Sequence, residues 1–124
     1  MVKLVYCLRR LPNLSLEEFQ RYWLETHAPL VRKHARTLGI RRYTQVHTLD
    51  DEATRLLQAG RGGPGAYDGV AELWWESREA LMQSFSSPEG QAAARELLED
   101  EQRFIDLGRS PLWIAEEHPI VNEA

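Results

Sequence analysis

The sequence predicts an α+β domain with strands and helices in the order β-α-β-β-α-β, a four-stranded antiparallel sheet carrying helices on one face. Three observations lead there. An apolar, β-rich run opens the chain and is followed by a capped amphipathic helix. Two alternating, β-branched and aromatic segments follow in succession. A helical stretch in two pieces then precedes a last strand-like segment. The 124 residues suffice for one domain spanning 1–124, with a single core that buries roughly two-thirds of the unfolded surface.

The first strand is VKLVYCL (2–8), apolar at nearly every position and therefore suited to a sheet covered on both faces. RRLPNLS turns the chain. Ser15 and Glu18 then have the spacing of a capping box, and Leu14 with Phe19 that of a hydrophobic staple, so a helix starts at Leu16. Phe19, Trp23, Thr26, His27, Leu30 and His34 follow at helical steps and mark one face. Gly39 is the expected C-cap. IRRYTQVHTL (40–49) reads as the second strand. The segment at 50–66 is acidic, then helical for about two turns, then broken by GRGGPG, and reads as an insertion or a lid.

DGVAELWWES (68–77) is the third strand, with Trp74 and Trp75 on opposite faces because side chains alternate. Ser77 caps a short helix. Ser87 with Pro88 starts another that is expected to run to about Asp106. SPLWIAEEHPIV (110–121) is the last strand. This is the ferredoxin-like order. Strands one, three and four are apolar on both sides, and helices cover only one face of such a sheet. The open face is therefore expected to meet a second copy of the chain in a homodimer.

Composition narrows the functional classes. Hydrophobic residues at 43% and charged residues at 27% fit an ordinary folded chain. A net charge of −4 with dispersed Lys and Arg gives no sign of a nucleic-acid surface. No apolar run is long enough for a membrane helix, and the N-terminus lacks the features of a signal peptide. The single cysteine, Cys7, cannot form an internal disulfide and is expected in the core, which suits a cytoplasmic protein. No G-x-G-x-x-G or P-loop is present, so a nucleotide cofactor is not expected. His34 lies seven residues from His27, but no third ligand stands at a recognised interval, so no metal is expected either.

The runs VKLVYCLRRLPNLSLEEFQRYWLETHAPLV, RRYTQ, YDGVAELWW, SREAL and SSPEG resemble the EthD family of the dimeric α+β barrel superfamily. The resemblance implies two ferredoxin-like sheets closing a barrel, and a small-molecule pocket in each subunit between sheet and helices. It also implies chemistry without cofactors on hydrophobic or aromatic molecules. Similar proteins include accessory proteins of ether degradation and dehydratases of polyketide precursors, and the wider superfamily adds cofactor-free monooxygenases and cyclases.

In the matching family the histidine of W-x-x-x-H-A-P-L looks into the pocket, and here it is His27. Trp23 lies one turn before it on the same face. Pro29 lacks an amide hydrogen and is expected to bend the helix just past His27, opening space over the sheet. The alternative is that Pro29 only shapes the wrap of the helix and His27 is a hydrogen-bonded core residue.

Tyr43 and His47 share a strand face with Gln45 and are the candidate catalytic partners of His27, or else they face solvent or a dimer seam. Trp23, Trp75, Phe85 and Phe104 are the candidate substrate-binding residues, within an aromatic set otherwise assigned to core and interface. Asp106 is placed to orient a histidine, although a solvated helix-end charge is the better reading of it. Histidine takes and gives protons near neutral pH. The leading expectation is thus a lyase, dehydratase or cyclase acting through a histidine acid/base. An oxidoreductase of the cofactor-free monooxygenase type and a non-catalytic binding or accessory homodimer are the alternatives.

Overall fold

The computed structural model describes residues 1–123. Four strands, β1 (Val2–Leu8), β2 (Arg42–His47), β3 (Gly69–Trp75) and β4 (Leu112–Ala115), form one antiparallel sheet in the order β2-β3-β1-β4. Helices α1 (Leu16–Tyr22), α2 (Ala28–His34), α4 (Arg78–Ser84) and α5 (Pro88–Glu101) accompany it, with α3 (Glu52–Gly60) in the excursion between β2 and β3. The fold is α+β and ferredoxin-like.

Local chemistry sets the helix starts. Ser15 Oγ accepts from the Glu18 amide while Glu18 Oε1 accepts from the Ser15 amide, which closes the predicted capping box. Asp51, Ser77 and Ser87 cap α3, α4 and α5 with the side chain alone, accepting from the amides of Thr54, Ala80 and Gly90. Gly39, at φ 69°, ends the turns beyond α2. The Ile40 amide reaches the Ala35 carbonyl and the Gly39 amide that of Arg36, a Schellman arrangement.

Several boundaries differ from the sequence reading. Helix α5 ends at Glu101, not near Asp106, because the following backbone pairs elsewhere. The Leu11 amide bonds the Phe104 carbonyl, and Arg10 and Ile105 form an isolated bridge. Strand β4 keeps only four residues, and the exposed segment after it, including His118, lies outside the sheet. The excursion is a nine-residue helix with exposed Leu56 and Leu57.

The largest change is in the first helix. A π turn, Trp23–His27, separates α1 from α2, and the Ala28 amide bonds the Trp23 carbonyl five residues back. Pro29 sits at the start of α2, where a missing donor costs little. The buried stripe is Phe19, Trp23, His27 and Val31, at strict four-residue steps, while Thr26 is exposed. Such steps drift by about 40° each on a regular helix of 3.6 residues per turn. The extra residue of the π turn returns them to phase and keeps all four side chains over the sheet.

The core forms two clusters between helices and sheet. One gathers Leu8, Phe19, Trp23, Ala71, Phe104 and Ile105. The other gathers Val31, Leu38, Ala93 and Leu97. On the opposite face Lys3 and Arg42 lie over the Trp74 ring and the Glu117 carboxylate accepts from its indole N–H. Lys3 also pairs with Glu72, so this face mixes charge with apolar groups more than the alternation predicts. Val46 and Trp113 remain exposed, and Cys7 is buried.

Candidate functional site

A small cavity of about 60 Å³ lies on the seam between the two core clusters, under the π turn and over the sheet. Tyr6, Trp23, His27, Tyr43 and Glu101 line it, and Ala71 and Leu73 form part of its apolar floor. Six elements contribute: β1, β2, β3, the π turn, α2 and α5.

His27 is only 5% exposed and Asp100 3%. The imidazole Nδ1–H donates to Asp100 Oδ2 at 2.7 Å. Tyr22 OH and Arg103 Nη1 donate to the other carboxylate oxygen at 2.6 and 3.0 Å. Burial alone raises the Asp100 pKa, but the hydrogen bonds from Tyr22, His27 and Arg103 outweigh it and hold the carboxyl below its usual range. Burial lowers the His27 pKa and outweighs the pull of Asp100, so the ring is neutral at pH 7. An ionised Asp100 facing a neutral ring fixes the proton on Nδ1 and leaves Nε2 as the basic nitrogen, on a side chain that lines the cavity.

Glu101 is the second unusual group. Burial first, then the neighbouring Asp100 charge, push its pKa up to about 7 against the opposing hydrogen bond from Tyr6 OH, at 3.1 Å. Burial likewise raises Tyr6 and Tyr43, the latter to about 12, so both phenols are proton donors at neutral pH. One cavity therefore holds a neutral imidazole acceptor and a carboxyl that exchanges its proton near pH 7. Opposed shifts of this kind divide base from acid.

The sequence-predicted residues divide in two. Trp23, His27 and Tyr43 line the cavity together. His47 does not: its ring stacks on Trp23 at 4.5 Å between centroids and its Nε2 meets Gln45 Oε1 at 2.7 Å. Gln45 Nε2 in turn donates to the Trp23 carbonyl at 2.9 Å and to Tyr43 OH at 2.8 Å, which ties β2 to the π turn. Trp75 is buried on the helix side but away from the cavity, because its indole N–H is taken by the Leu38 carbonyl at 2.7 Å. Phe85 ends α4 half exposed. Phe104 is fully buried and packs on the His27 ring at 5.0 Å, supporting it from behind rather than lining the space.

Asp106 orients no histidine; it lies past the end of α5 and faces Arg109 at 3.9 Å. His34 pairs with Glu96 at 2.8 Å. Among the described residues no group of three or more His, Cys, Asp and Glu side chains is placed to hold a metal. None of the described helices is long and apolar enough to cross a membrane.

Asp100 and Glu101 were not singled out for these roles by sequence. The signal was nevertheless there: Gly90, Ala93, Leu97 and Asp100 recur at three- and four-residue steps and are buried together, so Asp100 ends an apolar stripe.

Fold and site define a ferredoxin-like α+β domain with a buried histidine–carboxylate pair at a cavity between sheet and helices. The EthD domain model matches residues 11–108, and the chain belongs to the EthD family. An EthD family protein from Bacillus halodurans is similar at 25% identity and TM-score 0.63, covering 95% of this chain and 99% of that one. SnoaB from Streptomyces nogalater, described as a cofactor-independent oxygenase, shares the fold at 16% identity and TM-score 0.57, with 98% and 97% covered. A dimeric protein of ferredoxin-like fold from Bacteroides fragilis does so at 9% identity and TM-score 0.59, with 94% and 95% covered.

Proposed function

We propose that the protein binds a hydrophobic or aromatic carbonyl compound between sheet and helices and moves protons on it without a cofactor, as a dehydratase- or cyclase-type lyase. The observation that carries this reading is the His27–Asp100 pair, which leaves Nε2 basic at a cavity that Glu101 also lines. His27 Nε2 takes a proton from the carbon next to the carbonyl. Asp100 stabilises the imidazolium that results, as a buried carboxylate does for a histidine base. The protonated Glu101 carboxyl gives its proton to the departing hydroxyl, which leaves as water, and Tyr43 OH hydrogen-bonds the carbonyl oxygen as it gains charge.

The cavity of about 60 Å³ is well below the roughly 300–1,000 Å³ of small-molecule pockets, so binding requires the helix layer to lift from the sheet while the His27–Asp100 pair stays closed. A second reading shares the first step. The fold likeness to the oxygenase SnoaB favours a substrate carbanion that reacts with oxygen rather than losing water.

We also propose a homodimer through the open sheet face, where Val46 and Trp113 are exposed and the Bacteroides fragilis neighbour, described as dimeric, offers the precedent.

The test needs no natural substrate. In D2O with 2-tetralone, exchange at the carbon next to the carbonyl is expected to be accelerated. His27→Ala is expected to slow it by roughly 10²-fold or more, the scale of a lost general base. Asp100→Asn, which permits the wrong tautomer, is expected to slow it as well. Unchanged exchange in His27→Ala would rule the base out.

A further inference from the structure

A second hollow, of about 210 Å³, adjoins the inner cavity. Val31 and Tyr43 line both and form the wall between them. Its rim carries Arg32 and Arg41, Arg42 lines it from the start of β2, and a contiguous hollow adds Arg36 beside Arg32 and Arg41. No Asp or Glu lines either hollow, in a chain whose net charge is −4. Among the described residues Arg32 and Arg36 meet no carboxylate. Arg41 meets only Glu76, at 2.7 Å between two exposed side chains, a pairing that contributes little and exchanges readily. Arg42 leans over Trp74 on the far face of the sheet.

We propose that this arginine-rimmed hollow is the mouth of the ligand site and holds an anionic head group, a carboxylate or phosphate, on an otherwise flat aromatic ligand. The guanidinium fork matches both anions bidentately. The aromatic body then passes between Val31 and Tyr43 towards His27. Together the two spaces come close to the lower end of the usual size of a small-molecule pocket, roughly 300 Å³. The inference rests on the proposed reading of the inner cavity and adds the charge its ligand carries.

Three probes of one shape test it: 1-naphthoate, 1-naphthyl phosphate and uncharged 1-naphthamide, with Kd by calorimetry and site by amide chemical shifts. At least one anion is expected to bind about tenfold tighter than the amide, a difference of about 1.4 kcal/mol. Which anion binds better identifies the head group. That preference is expected to fall away in high salt and in the double variant Arg32→Gln/Arg41→Gln. These exposed arginines lie outside the core, so the variant is expected to melt with the parent. If the amide binds as tightly as both anions while shifting resonances at Tyr43 and His27, the anionic mouth is wrong and the inner site stands. If none of the three shifts any resonance, both are wrong.

Discussion

Glu101 is the residue whose behaviour most separates a working site from a packed core. A solvated glutamate near its ordinary pKa would contribute nothing to stability that varies across neutral pH. Here the folded value is raised to about 7 from the ordinary 4.5. The folded protein therefore holds a proton that the unfolded chain releases. That contribution is complete below about pH 4.5 and is lost as the pH rises through 7, with a span of at most about 3 kcal/mol. Glu101→Gln keeps a neutral side chain at every pH. Denaturant titrations are expected to show the variant gaining on the parent between pH 5 and 8. Parallel stability curves for the two would mean that Glu101 is solvated. If Glu101 also donates the proton during turnover, the parent's rate is expected to decline above about pH 7. His27 acts in the opposite sense: its lowered pKa means that stability falls as the pH drops below the ordinary histidine range, because only the unfolded chain then takes up the proton.

At the scale of elements, the site depends on where the Trp23 indole is seated. A Cβ placed at Gly69, the first residue of β3, would overlap that ring and would stand 3.1 Å from the Val46 carbonyl. Trp23 is hemmed in by Phe19 and by the stacked His47 ring, so it has little room to yield. Gly69→Ala is expected to destabilise the fold by about 1–3 kcal/mol, the usual cost of overpacking, and to disturb the His27 ring environment. Thermal melts and the histidine side-chain resonances would check both. If neither changes, the indole does not fix the π turn. Much at this scale was legible. Ser15 with Glu18, Ser77 and Ser87 with Pro88 each carry a local signal, and each begins a helix as read, whereas Gly39 closes the turns after α2 and the helix itself ends at His34. Helix ends set by distant pairing were not legible: α5 stops at Glu101 because the residues after it pair with the turn beyond β1. The proline was visible, but whether the chain answers it with a kink or with a π turn depends on which side chains must stay over the sheet.

For the whole molecule, the order of elements and the antiparallel sheet were legible because strand and helix periods differ so clearly. The candidate site was half legible. His27, Trp23 and Tyr43 belong to a recognisable run and its facing strand. Asp100 and Glu101 sit in LLEDEQRF, where four acidic or amide side chains look like a solvated helix end. Only three-dimensional packing of α5 beneath the π turn turns two of them inward. Assembly is tested at the same scale. Light scattering on eluting protein is expected to give about twice the 14.3 kDa of one chain. Trp113→Glu on the open face is expected to reduce that to one chain without unfolding it, since Trp113 is half exposed and not in the core. A single-chain mass for the parent would exclude the dimer.

The extra residue between α1 and α2 adds a position without displacing its neighbours. A straight helix turns by about 100° per residue, and the wide turn absorbs that rotation, so the coil beyond it keeps its bearing. Excising one position from 24–26 would therefore regularise the coil and leave Phe19, Trp23, His27 and Val31 on the same side. The shortened polypeptide is expected to fold with its imidazole still against Asp100. A single-codon deletion is thus a change that a relative could carry while keeping both its shape and this buried pair.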